Sequence, residues 1–203
     1  MKKTNNKGFS LVELIIVIAI MAILAGAIAP ALIKYIDKSR KSNDVSSAKT
    51  IKTAIETALG NESIYEYITG GSSYCYISIT PGKSLTDGTT GAQTAISISG
   101  AYNGTEKING KDKTELEKTA KDTIGSNIGE KSPKLKYQKD PAGGNNKPSK
   151  FVGVVSPAGT VYVFIQCGTG SSFSVKDSSS TGVEPTTSGT GYQITPYICD
   201  EYQ

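Results

Sequence analysis

Reactive chemistry needs ionisable or nucleophilic side chains at workable spacings, and this chain offers four candidate sets. The first is Glu13, a carboxylate set inside the apolar run from Phe9 to Ile33. The second is three cysteines, Cys75, Cys167 and Cys199. The third is a lysine-rich stretch, residues 106–150, with eleven lysines against seven acids and with Lys134, Lys136 and Lys139 around Tyr137. The fourth is the loop "DPAGGNN", which begins at Asp140. The 203 residues include no histidine. That removes the commonest general base, the usual partner of a serine or cysteine nucleophile and the commonest zinc ligand. The cysteines have no imidazole to activate them, and Asp140 is the only carboxylate of its loop, too few for a calcium shell. These residues argue against an enzyme, a cofactor and a metal. Lysines beside an aromatic can follow a phosphate chain, but most such runs are solvated surface, so nucleic acid is at best a secondary partner.

Glu13 is the residue that stability does not explain. From Phe9 to Ile33 there are 25 residues, about 37 Å of helix against a hydrocarbon core of about 30 Å. Fourteen Phe, Leu, Ile or Val side chains in the run each favour insertion by about 0.3–0.6 kcal/mol. A central acid opposes it by roughly 2.5–3.5 kcal/mol, and less near an end. Insertion therefore tolerates the carboxylate without requiring it, and an ionisable group at membrane depth calls for a partner. Lys2, Lys3 and Lys7 precede the run and supply three of the four formal net positive charges, so the rest of the chain is nearly neutral. A secretory signal peptide would share the basic start and offers "AGA" at Ala25–Ala27 or "AIA" at Ala27–Ala29 as a cleavage site, but its apolar stretch is 7 to 15 residues long. A plain uncleaved anchor is the second reading.

The third comes from Lys7, Gly8, Phe9, Ser10, Leu11, Val12 and Glu13, followed at once by the apolar run. This segment resembles the type IV prepilins over residues 2–33. The resemblance implies a leader, residues 1–8, cut by a prepilin peptidase between Gly8 and Phe9, with methylation of the new amine on Phe9. It implies that Glu13 pairs with the N-terminal amine of a neighbouring subunit and so sets register in a helical homo-oligomer. Two costly charges in low dielectric favour the one docking that pairs them. It also implies a membrane pool in the cytoplasmic membrane, an assembly ATPase and platform protein as partners, and a fibre at the cell surface used in adhesion or twitching motility. A major pilin is favoured, with a minor pilin or a secretion or competence pseudopilin as alternatives; a non-polymerising membrane-anchored adhesin is the alternative from another class. Pro30 disturbs the bond to the carbonyl of Gly26, so Gly26 and Pro30 mark a weak point in the helix. Any of three cysteine pairings, or none, fits the sequence alone. The resemblance favours Cys167 with Cys199, which enclose 31 residues.

The expected fold is α+β, a pilin fold with a long N-terminal helix packed on an antiparallel β-sheet head. Residues 9–33 form the membrane and filament-core helix. Residues 34–60 continue it as an amphipathic half, with Val45, Ala48, Ile51, Ala54, Ile55, Ala58 and Leu59 in one stripe and Gly60 as the stop. Residues 61–203 form the head. Past Gly60 the pattern predicts strands at Tyr74–Thr80 and Ala95–Ser99, a helix between Asp112 and Ile124, and a hairpin in "FVGVVSPAGTVYVFI". Further strands are expected at Ser172–Val175 and Tyr192–Ile194, with an exposed loop over Lys176–Gly191.

Overall fold

The apolar run and the stripe behind it form one helix, α1 (Leu11–Leu59), in the computed structural model, which describes residues 8–71, 73–86, 91–168, 175–178, 182–185 and 191–202. By packing the chain divides into two units, Met1–Ser39 and Arg40–Gln203. In the first, every large apolar side chain from Leu11 to Ile33 is exposed. Among the described residues, α1 is the helix long and apolar enough to cross a membrane. It passes through Gly26 and Pro30 without interruption.

In the second unit the buried positions of α1 are Asp44, Val45, Ala48, Ile51, Ala54, Ile55 and Ala58. Apart from Asp44 and the half-buried Leu59, this is the predicted stripe. The chain then adds α2 (Glu62–Thr69), β1 (Cys75–Ile79), α3 (Gly91–Ala95), β2 (Ile96–Ser99), α4 (Lys113–Ile128), β3 (Pro148–Val155), β4 (Val161–Cys167), β5 (Val175–Ser178), β6 (Gly182–Pro185), β7 (Gly191–Thr195) and a 3-10 turn, Asp200–Tyr202. Five strands form an antiparallel sheet in the order β2-β1-β3-β4-β7.

Register aligns one set of apolar side chains from each of four strands on one face of the sheet. Ile79, Phe151, Ile165 and Tyr192 lie across β1, β3, β4 and β7, and all are buried in the cluster that includes Ile51 and Ile55 of α1. Each such isoleucine contributes about 1.5–3 kcal/mol by leaving water. The opposite face of β3 and β4 buries Val152, Val154 and Phe164, with Tyr74, Tyr76 and Tyr162 packed against them. Burial on both faces explains why "FVGVV" is continuously apolar rather than alternating. The β3–β4 turn is the predicted one: Gly159 adopts φ 81° and donates its N–H to the Ser156 carbonyl at 2.9 Å.

Gly153 lies at the middle of β3, opposite Ile77 and Val163, and a Cβ there would collide with Ile55 Cδ1 of α1. Ile55 of the helix thus packs directly over a sheet residue without a side chain. Gly153→Ala should destabilise the head by about 1–3 kcal/mol through overpacking, read as a lower urea midpoint. An unchanged midpoint would show that α1 can lift off the sheet at no cost.

Four expectations are corrected. Past Gly60 the chain turns first into α2, not a strand, because Asn61 caps it: its Oδ1 accepts from Ser63 N–H at 3.1 Å and Ile64 N–H at 3.3 Å. Ala95 closes α3, so the strand begins at Ile96. The helix capped by Asp112 continues past Ile124 to Ile128. The stretch read as an exposed loop contains a two-stranded ladder, β5 with β6, pairing Val175 with Pro185 and Ser178 with Gly182. Of the strand expected over Ser172–Val175, residues 172–174 lie outside the described residues, as do leader residues 1–7.

Candidate functional site

The residues singled out at the N-terminus fall within one short segment. Gly8 and Phe9 precede the helix and are exposed. Ser10 is the last residue before α1, and its carbonyl accepts the N–H of Leu14 at 3.2 Å. Glu13 lies in the first turn, where an acid also favours the positive end of the helix dipole. Its Oε2 accepts the Ser10 backbone N–H at 2.9 Å. Gly8, Phe9 and the Glu13 carboxylate therefore all fall at one helix end. The signal that sequence reasoning passed over is Ser10-x-x-Glu13, a helix-start spacing.

In the head, Cys75 and Cys167 are buried and Cys199 is half-buried. Cys75, Cys167 and Cys199 all stand as thiols, so the Cys167–Cys199 bond implied by the resemblance is not formed in this structure. Burial pushes Cys75 up to about 12. Cys167 is pushed up to about 12 by burial first, then by the charges of Asp140 and Cys199. Thiols held so far above neutrality are poor nucleophiles.

Tyr137 is buried, with the Lys41 ammonium 5.3 Å from its ring centroid and the Tyr202 ring 6.0 Å away, edge on. It offers no stacking surface to a base, which removes the aromatic half of the nucleic-acid reading. Lys134, Lys136 and Lys139 are exposed on a segment whose Leu135, Tyr137 and Asp140 are buried.

Two carboxylates organise that segment. Asp44 is fully buried on α1 and accepts the N–H groups of Lys136 at 2.7 Å and Tyr137 at 3.0 Å. Burial raises its pKa, and the hydrogen bonds from Lys136 and Tyr137 oppose that rise. Sequence reasoning missed it; an acid next to Val45, on the edge of the apolar stripe, was the available cue. Asp140 accepts from Asn146 N–H at 2.8 Å, Ala142 N–H at 3.0 Å and Tyr192 O–H at 3.3 Å. It ties its loop to β7, and its lone pairs are occupied by the protein itself. The Asn146 and Ala142 hydrogen bonds, with that from Tyr192, hold its pKa below the usual value of 3.8 against the opposing effect of burial. A depressed folded pKa contributes stability that is present above 3.8 and is lost as pH falls through the folded value. Asp140→Asn should therefore flatten the acid limb of the stability–pH curve below about pH 4. An acid limb as steep as that of the parent would remove Asp140 as its source.

Comparison with known proteins points to the same N-terminal segment. Residues 3–29 match the model of the prokaryotic N-terminal methylation motif. The chain is 46% identical over 57 residues to the type IV major fimbrial protein FimA of Dichelobacter nodosus, covering 28% of this chain and 36% of that one. With another FimA of that organism it is 36% identical over 102 residues, covering 48% and 59%. With fimbrial protein Q of Moraxella bovis it is 49% identical over 54 residues, covering 27% and 34%. The chain thus spans less than two thirds of the length of each of these relatives. No solved structure matches it. A methylation motif at the start of a 49-residue helix, matches to type IV fimbrial proteins, and an α+β layout of long helix and antiparallel sheet together make the chain similar to the type IV pilins, most specifically over its N-terminal segment.

Proposed function

We propose that this chain is the structural subunit of a type IV pilus-like filament. It enters the cytoplasmic membrane through the apolar part of α1, is cut by a prepilin peptidase between Gly8 and Phe9, and is methylated on Phe9. An assembly ATPase acting with a platform protein then draws it from the membrane pool into a fibre displayed at the cell surface, serving adhesion or twitching motility. The observation that carries this reading is Glu13 in the first turn of α1, at the head of a run whose large apolar side chains from Leu11 to Ile33 are all exposed, directly behind the Gly8–Phe9 pair. Fourteen large apolar side chains leaving lipid need cover from neighbouring helices. Packing supplies cohesion, and pairing Glu13 with the Phe9 amine of a neighbour selects the register. The turn between Gly26 and Pro30 loosens on extraction, because Pro30 contributes no N–H to the helix ladder. Glu13, as a registry residue, favours a major subunit of the fibre body over a minor pilin or pseudopilin. At the surface, where disulfides persist, Cys167 and Cys199 lose two hydrogens to an oxidant and join.

The test is the mass of the mature chain after expression beside a prepilin peptidase. The expected product begins at N-methylated Phe9, and the surface-exposed form is two hydrogens lighter than its reduced form. A start near Ala27 or Pro30 would make this a secreted soluble domain. Retention of Lys2–Gly8 beside an active peptidase would make it a membrane-anchored binding module.

A further inference from the structure

We propose that Glu13 has two successive partners: in the unassembled subunit it closes the first turn of its own helix, and assembly exchanges that internal partner for a neighbour's amine. The second half of the statement rests on the filament reading; the first half does not.

The geometry is that of a helix start. The Ser10 carbonyl accepts the first helical hydrogen bond, from Leu14 N–H at 3.2 Å, which makes Ser10 the capping residue. Glu13 is the third helical residue, and its carboxylate reaches back to the Ser10 N–H at 2.9 Å. This is the Glu half of the reciprocal arrangement that a Ser-x-x-Glu spacing builds at helix starts. At membrane depth it matters more than in water, because the first N–H groups of a helix have no partner in the helix itself and lipid offers none. The carboxylate therefore has work inside a lone subunit. Phe9 immediately precedes Ser10, so cutting after Gly8 places the chain's own new amine one residue from the N–H that Glu13 already holds. A reserve subunit of this kind keeps its charge satisfied internally, and docking must offer a better partner than the one released.

Two substitutions separate the roles. Glu13→Gln keeps an acceptor at the same reach and removes the charge; Glu13→Val removes both. The readout is exchange of the Ser10 amide with water, measured by NMR on the full chain in detergent micelles, beside incorporation into fibres. The expected result is an amide that exchanges about fivefold faster in Glu13→Val, within about twofold of the parent in Glu13→Gln, with both variants failing to assemble. A Ser10 amide equally fast in parent and Glu13→Val would overturn the internal cap, whatever the fibres do. Protection retained in Glu13→Gln together with normal assembly would leave the cap standing and overturn the exchange, and with it the registry role of the charge.

Discussion

Glu13→Val leaves insertion into the membrane unchanged and lowers incorporation into fibres by more than about tenfold. Insertion is insensitive because the fourteen apolar side chains around Glu13 already favour it. In the proposed filament, incorporation is sensitive because the substitution would strand a neighbour's N-terminal ammonium between packed helices. An unpaired charge in such a place costs several kcal/mol, and each 1.4 kcal/mol is about a factor of ten in an equilibrium. The measurement is an immunoblot of the membrane fraction against the sheared fibre fraction. Equal loss from both fractions would mean the variant is degraded before assembly. Full incorporation would dismiss the amine pairing.

The second large effect is on the head. Asp44→Ala is expected to destabilise it by about 3 kcal/mol, because the substitution leaves the N–H groups of Lys136 and Tyr137 without their acceptor at a fully buried position. For a domain of this size that lowers the melting temperature by about 6–12 °C, measurable by circular dichroism in detergent. The pH dependence has a definite sign. The folded pKa of Asp44 is raised, chiefly by burial, so its contribution is fully present below the unfolded value and is lost as pH rises through the folded one. Asp44→Asn cannot ionise, so its deficit relative to the parent should be largest in acid and should narrow as pH rises. A deficit that widens instead would place the effect in some group other than Asp44.

The same two carboxylates show how far the sequence could be read. Glu13 stood out because its surroundings are uniformly apolar, and the stripe from Val45 to Ala58 stood out because spacing by three and four has one geometric meaning. The β3–β4 hairpin was legible for a similar reason: a Pro-containing turn between two runs of β-branched residues admits few alternatives. Asp44 was not legible, since an acid in a helix of mixed charge looks like surface until the backbone that needs it, 92 residues further on, is in place. The capping of α2 by Asn61 was hidden by the glycine before it, which reads equally well as the end of helical structure. Tyr137 misled for the opposite reason. Three lysines near one ring suggest an exposed platform, yet Leu135, Tyr137 and Asp140 are buried while the lysines are exposed, and the ring goes with the buried set.

Among the described residues, no buried side chain of the head lies earlier than Asp44, although the helix that supplies it begins at Leu11. The portion that would bind a fibre together and the portion that such a fibre would show to its surroundings draw on separate stretches of one helix. In the proposed filament, substitutions on the outward portion leave the helices that bind the fibre untouched, and substitutions before Asp44 leave the head's interior intact. A subunit of the proposed filament with an altered head surface therefore stays interchangeable with its predecessors inside the same fibre.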